Sequence, residues 1–535
     1  MEPKMLLHTF VAFSLLFGTV NAARILALVP TASRSHNIWN SALMLGLAKK
    51  GHQITALSPD PAKESNPNLK HIVLEGTYEQ IQDTYDIESF VNASAIEMLQ
   101  AMVEFSSEIC KYELSTKGAK DLLQMPPDSF DLIITEVIFG ECTFMYIHHF
   151  GGGTRIPVVG ITAYGIGPWT DRITGSRTLP STFALPILPY MSNMNFWERF
   201  HNSMMTGMYC FSMLYESYPQ HQKNAEEAYG KPLPPLVDVY SNISLILVNN
   251  HYVINGPQAQ LPGVINVGGM QCSPAKPLPQ DIKSFLDGAK RGAIFFSLGT
   301  NVRSEFLPKE KLEIILDTFR GLGPDIRVLW KFDPEKPLEN IPPNVLLKKW
   351  LPQEDVLGHP KIIAFASHTG LLSTQEAIYH GKPIIAIPFF ADQHTNTRRL
   401  VDMKVAEHVV FTQLTKETFT KKIMKVIDDP SYKQRMEKMS QLLRDQPQTP
   451  LERAIFWIEF TLRQGKTGRV EALRSAGLGL NWYQYFLLDI FAVIFFSITM
   501  IIISAVFGIY VLYKCFRKIV GHKAEKVKPK KKKTK

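Results

Sequence analysis

The sequence predicts an α/β protein of two domains followed by a single membrane helix. Three observations carry that prediction. Residues 361–399 read as an apolar run, a polar turn, a helix, a second apolar run and a further helix start, the order of a parallel sheet with crossover helices. The chain has 535 residues, too many for one ordinary hydrophobic core. Residues 485–513 are almost wholly apolar, and roughly 20 such residues suffice to cross a bilayer.

In chain order, an apolar run after Lys4 ends on Val20-Asn21-Ala22, a small-residue cleavage pattern, so residues 1–22 read as a signal peptide. A first domain is expected over 23–255. Strands are read at 25–29 and 54–57, with a helix over 38–49 between them that stops at Gly51. The polar loop 30–36 lies at the carboxyl end of the first strand, which places His36 in a ligand crevice. Residues 59–129 hold a helix around 96–112. Further strands are read at 130–136, ending on the carboxylate of Glu136, at 156–161, and at 245–248 as the last of the domain. Residues 165–219 are rich in Met, Phe, Tyr, Trp and Pro; they read as packed core and, as a group, as the wall of an apolar pocket.

Prolines 257, 262, 274 and 277 mark 256–278 as a linker. The second domain, 279–446, has strands at 293–298, 326–332, 345–348, 361–367 and 384–388. Gly299-Thr300-Asn301 follows its first strand, and His368-Thr369-Gly370 turns the fourth into a helix. Asp392-Gln393 opens another helix beyond the fifth, a position that suits Asp392 as an N-cap. Helix N-termini beyond strand carboxyl ends favour anions, so this region offers a phosphate seat. Residues 447–482 supply a helix over 451–463 and a membrane-proximal segment, 485–513 span the bilayer, and 514–535 form a basic tail.

The net charge of +9 would suit a nucleic-acid partner if it lay within the fold. From Lys514 onward, however, eleven Lys and Arg face Glu525 alone, so the tail carries the excess and the domains are nearly neutral. No nucleic-acid partner is expected. The lysines place the tail in the cytosol and everything before Asn481 in the lumen, with Trp482, Tyr483 and Tyr485 as an interfacial belt. Cys110, Cys142, Cys210 and Cys272 precede the span; they are too few for a disulfide scaffold, suit no zinc spacing, and leave open whether any pair bridges. Asn92-Ala93-Ser94 and Asn242-Ile243-Ser244 are acceptor sequons for a luminal domain.

Trp350, Pro352, Gln353, His359-Pro360, His368, Gly370, Glu376-Ala377, His380-Gly381, Pro383 and Asp392-Gln393 together resemble the signature of the UDP-glycosyltransferases, membrane-anchored enzymes that attach sugars to small lipophilic molecules. The wording of 371–376 is most similar to the insect members, and the resemblance runs from Arg24 to the tail. It implies a GT-B fold of two facing Rossmann-like domains. The first would bind the acceptor and the second a UDP-sugar, most readily UDP-glucose, with the 451–463 helix crossing back onto the first domain.

The resemblance also implies roles. His36 would be the general base and a carboxylate its partner. The family has an aspartate just after the strand that here ends at Glu136, so Glu136 is the first candidate and Glu141 the second. His368 and the amides around Gly370 and Ser373 would hold the diphosphate, with Thr300 adding a hydroxyl. Trp350 would stack on uracil, Gln353 would meet its edge or the ribose, Glu376 the ribose hydroxyls, and Asp392 and Gln393 the sugar. No metal and no cofactor beyond the UDP-sugar is implied; a homo-oligomer is compatible.

Blander readings stand beside these. His36 would cap a helix starting at Asn37, Glu136 would be a surface carboxylate, Trp350 a core aromatic, and His380 is structural. Thr369 departs from the family's usual glycine, and a β-branched residue fits poorly if φ is positive there. A membrane-anchored protein that binds a lipophile or UDP without transfer is the rival reading. A nicotinamide dehydrogenase is excluded because the first strand leads into Pro30-Thr31-Ala32-Ser33 and not a glycine-rich turn. The final Lys532-Lys533-Thr534-Lys535 resembles the dilysine retrieval signal of endoplasmic reticulum membrane proteins.

Overall fold

The computed structural model describes residues 22–61, 64–84, 93–191, 193–300, 302, 304–333 and 338–526. Residues 1–21 of the expected signal peptide, Asn92, Asn301 and the end of the lysine tail lie outside these residues. The chain forms two compact units, one through Ser475 and one from Ala476 onward.

The first unit holds two parallel sheets. One comprises β1 (Arg24–Leu28), β2 (Gln53–Ser58), β3 (Leu69–Val73), β4 (Leu132–Glu136), β5 (Val158–Thr162), β6 (Leu245–Val248) and β7 (Val264–Asn266), in spatial order β3-β2-β1-β4-β5-β6-β7. The other comprises β8 (Gly292–Ser297), β9 (Ile326–Lys331), β10 (Val345–Lys348), β11 (Ile362–Ser367), β12 (Ile384–Ala386) and β13 (Ala406–His408), in order β10-β9-β8-β11-β12-β13. Sheets covered on both faces need strands that are apolar throughout, and every residue of β4, β5, β6 and β8 is buried. In each sheet the order reverses beside the first strand: β1 lies between β2 and β4, and β8 between β9 and β11. Loops leaving the strands diverge there and open a crevice.

Three strands went unread in the sequence. β7 falls inside the segment 256–278 expected as linker, and its pairing with β6 makes those three residues part of the first sheet. Flanked by prolines at 257 and 262, it is too short to show a period. β3 (LKHIV) and β13 (AEH) are edge strands whose polar residues hide the pattern.

The helix Pro450–Gln464 is capped by Thr449, whose hydroxyl accepts from the Glu452 amide. Its Ala454, Ile455 and Ile458 share one core with Trp39, Leu43 and Leu47 of the first domain. The aromatic stretch 165–219 is core on one side only. Met205 and Tyr209 of the helix Phe196–Ser212 pack with Phe183, Leu185 and Leu188, whereas Phe196, Trp197, Phe200, Met204 and Phe211 are exposed.

Cys110 and Cys142 form a disulfide that ties the helix Ala95–Ser115 to the segment following β4. With the bonded cysteines 32 positions apart in sequence, closing this loop should contribute about 3–4 kcal/mol by restricting the unfolded chain. Cys110→Ser is therefore expected to lower the free energy of unfolding by that amount in denaturant titration; a loss under about 1 kcal/mol would contradict it.

The second unit is dominated by the helix Leu488–Lys526, of which Leu488–Gly521 contains an 18-residue window with a mean hydropathy of 2.8 and is long and apolar enough to cross a membrane.

Candidate active site

The first half of the site forms where β1 and β4 end side by side. The helix after β1 runs Arg34–Lys49 with Ser33 at its N-cap position, so the polar loop ends earlier than the sequence implied. His36 sits in the first helical turn and does not cap a helix at Asn37. Glu136 ends the neighbouring strand, and its Oε1 lies 2.5 Å from His36 Nδ1. It is fully buried, which overturns the surface-carboxylate reading. Asn40 Nδ2 donates to its other oxygen at 3.4 Å. A carboxylate on the Nδ1 side fixes the tautomer and leaves Nε2 to take a proton. Tyr164, beyond β5, packs edge-on against His36 with ring centroids 5.1 Å apart. Glu141 is engaged elsewhere: it accepts from the Tyr240 hydroxyl at 2.8 Å and lies 3.8 Å from His221 Nε2.

The second half forms where β8 and β11 end. His368-Thr369-Gly370 leads from β11 into the helix Leu371–Tyr379, with Gly370 at the N-cap position. The His368 ring fills space that two glycines leave open. A Cβ at Gly299 would stand 2.4 Å from its Cε1, and one at Gly370 would stand 2.6 Å from its Nε2. Burial, assisted by the charge of Lys331, pushes the His368 pKa down to about 4, so at neutral pH the ring is an uncharged N–H donor. Its Nδ1 has no hydrogen-bond partner among the described residues. Gly299→Ala, also strained by a φ of 89°, should displace the ring. The loss of a hydrogen bond to a charged group predicts at least ~10-fold weaker UDP binding by calorimetry; unchanged affinity would separate His368 from the phosphates.

Gln353 links two of the expected donor residues: its Nε2 donates to Glu376 Oε2 at 2.7 Å and to Ser373 Oγ at 3.0 Å. Burial raises the Glu376 pKa to about 8, against a smaller downward pull from Gln353. Trp350 is 48% exposed and so is no core aromatic. Thr300, directly after Gly299, is half-buried.

Lys331 was not anticipated. Its Nζ donates to the Gly299 carbonyl at 2.8 Å and lies 5.2 Å from the Trp350 ring centroid. It ends β9, next to β8, so the rule that ligands bind beyond strand ends contained the signal.

Asp392 precedes the helix Gln393–Asp402 but does not cap it. Its own backbone is already helical (φ −67°, ψ −11°), whereas a capping residue needs an extended one. Its carboxylate accepts instead from Asn396 Nδ2 at 2.7 Å. Burial raises its pKa, and His36, on the opposite domain, is near enough to oppose that shift. Gln393 Oε1 accepts from the amides of Phe389 and Phe390 at 2.8 and 3.3 Å, so half of its carboxamide is committed to the backbone.

The two halves meet directly. Gln375 Nε2 donates to Asn249 Oδ1 at 2.7 Å, and the Thr395 hydroxyl lies 2.6 Å from the Leu188 carbonyl. A histidine–carboxylate pair on the first sheet thus lies near Asp392, on the half of the site that also holds Lys331 and the His368 turn.

Residues 24–526 match the family model of the UDP-glucoronosyl and UDP-glucosyl transferases. The chain is 33% identical over 484 residues to UDP-glucosyltransferase 2 of Dactylopius coccus, covering 89% of this chain and 91% of that one. It is 32% identical over 502 residues to UDP-glucuronosyltransferase 2B15 of Rattus norvegicus, covering 88% and 90%. Among solved structures, the glycosyltransferase VinC in complex with dTDP aligns with a TM-score of 0.55 at 17% identity, over 82% of this chain and 99% of VinC. The calicheamicin glycosyltransferase CalG4 aligns with a TM-score of 0.53 at 17% identity, over 83% and 99%. These structural likenesses are to GT-B glycosyltransferases. The chain therefore belongs to the UDP-glycosyltransferase family, as a GT-B enzyme that transfers sugar from a UDP-sugar.

Proposed function

We propose that this enzyme is an inverting transferase that moves glucose from UDP-glucose to small lipophilic alcohols and phenols, with His36 as general base. The observation that carries this reading is the buried His36–Glu136 pair, with His36 near enough to Asp392 of the second domain to act on its charge. The acceptor hydroxyl gives its proton to His36 Nε2 as it attacks the anomeric carbon, and Glu136 stabilises the imidazolium. Attack from the face opposite the diphosphate converts the α-linked donor into a β-glycoside. His368, the amides of Gly370 and Ser373, Thr300 and Lys331 receive the negative charge that develops on the departing UDP. Trp350 stacks on uracil, with Gln353 beside it; Glu376 accepts from the ribose, and Asp392 with the Gln393 amide orients the sugar. These donor groups supply the charge neutralisation, so the reading needs no metal or other cofactor.

The lipophilic acceptor is supported by the apolar segment 165–219, whose Trp169 packs edge-on against Tyr164, which in turn packs against His36. The Cys110–Cys142 disulfide fits an oxidising compartment. Together with the apolar helix and the dilysine-like tail, it supports a type I protein of the endoplasmic reticulum with both domains luminal.

Detergent-solubilised full-length protein, given UDP-glucose or UDP-glucuronate and a panel of phenols, should release UDP only with an acceptor present, and faster from UDP-glucose. Failure to release UDP with any pair of substrates sinks the transferase reading. Faster release from the glucuronate donor sinks the choice of glucose.

A further inference from the structure

Thr369 adopts a φ of 61°, a left-handed torsion that a β-branched residue occupies only when its surroundings hold it there. The site described above gives it no role, yet it is completely buried between the two elements on which donor binding rests. Its Oγ1 lies 2.6 Å from Thr397 Oγ1 and 3.1 Å from the Gln393 carbonyl, both on the helix that Asp392 precedes. The His368 carbonyl lies 2.6 Å from the same Oγ1, and one hydroxyl carries one proton, so Thr369 donates to one of these three groups while Thr397 can donate into its oxygen and keep the link to the helix. Its backbone is held as well. The Thr369 amide donates to Ser367 Oγ at 3.1 Å, and its carbonyl accepts from Asn396 Nδ2 at 3.1 Å. The second hydrogen of that same Asn396 amide goes to Asp392 Oδ2 at 2.7 Å.

One buried carboxamide therefore ties the carbonyl of the His368–Gly370 turn to the Asp392 carboxylate, and one buried hydroxyl pair ties the same turn to the helix. We propose that Thr369, Asn396 and Thr397 form a clamp that fixes the turn and the Asp392 side chain as one rigid body. Thr369 is then a positioning residue for Asp392. A glycine would adopt the torsion without strain but would lack the hydroxyl, so the threonine exchanges backbone ease for this link. The proposal rests on the reading of Asp392 as the group that orients the donor sugar. Because Asp392 meets the sugar and not the nucleotide, the clamp acts on the UDP-sugar and leaves UDP itself almost untouched.

The test uses the full-length enzyme and four proteins: wild type, Thr369→Gly, Thr369→Ser and Thr397→Val. For each, the KM for UDP-glucose, kcat, inhibition by UDP and the thermal midpoint are measured. Thr369→Gly and Thr397→Val are expected to raise the KM for UDP-glucose about 10-fold, the effect of losing one buried hydrogen bond to a placed group, with UDP inhibition changed less than about twofold. Thr369→Ser keeps the hydroxyl and should restore a KM within about twofold of wild type. Should Thr369→Gly fail to fold, Thr397→Val, which keeps its shape, carries the test alone. An unchanged KM in Thr397→Val overturns the clamp. So does a parallel weakening of UDP, which marks collapse of the phosphate turn, and so does failure of serine to rescue. Absence of turnover in the wild type counts against the transferase reading itself and is seen before any variant is compared.

Discussion

In His36→Ala, turnover of acceptor is expected to fall by about 10²- to 10⁴-fold, the contribution typical of a positioned general base, while UDP binding stays within about twofold of wild type. The separation follows from the architecture. His36 stands on the helix after β1, whereas the groups that would hold the nucleotide stand on the second sheet, so removing the imidazole leaves that half intact. Glu136→Gln sharpens the test. A carboxamide oxygen can still accept from Nδ1–H, but it offers no charge to offset the imidazolium, and its amide end can select the wrong tautomer. A loss of about 10²-fold or more in kcat is expected. Glu136→Asp keeps the charge but shortens the side chain, so the 2.5 Å contact to His36 has to lengthen, and an intermediate loss is expected. UDP release and calorimetric UDP binding measured on the same preparations decide the matter. If His36→Ala keeps more than about a tenth of the wild-type kcat, His36 is not the base.

The parts of this site that the sequence made legible are those where one strand, one turn and one helix are contiguous. His36 and His368 both follow apolar runs at strand ends, and their placement in a crevice needed only the rule for parallel sheets. What was illegible depended on neighbours distant in the chain. That Glu136 rather than Glu141 meets His36 depends on the adjacency of β1 and β4 and on Tyr240 holding Glu141, neither of which is local. Lys331 joins the site only because β9 lies beside β8, and β7 became a strand only by pairing with β6. Asp392 looked like a cap because its type and position fit one; its torsion, set by the loop before it, is what prevents it.

The affinity for UDP-glucose should rise with pH from 6 to 8, because in its proposed role Glu376 must lose a proton to bind the ribose. Burial raises its carboxyl to about 8, so in the empty site it is protonated at neutral pH. Ribose hydroxyls donate hydrogen bonds, which the carboxylate accepts far better than the acid does. Binding of the donor then expels a proton, and linkage makes the affinity fall as pH drops below 8, by on the order of 10- to 50-fold between pH 8 and 6. The same shift acts on folding in the opposite sense. A carboxyl raised from its ordinary 4.5 stabilises the empty protein fully below that value, and this contribution fades as pH rises through about 8. Added UDP-glucose should consequently raise the thermal midpoint more at pH 8 than at pH 6. UDP-glucose is the proper probe, since the terminal phosphate of UDP itself titrates near 6 as a phosphomonoester. Glu354, half-buried and raised to about 7 by desolvation, is a competing source of such a slope. Glu376→Gln distinguishes the two: it cannot ionise, so it should bind weakly at every pH and flatten the profile. A wild-type affinity independent of pH, or a slope that survives in Glu376→Gln, removes Glu376 from the ribose.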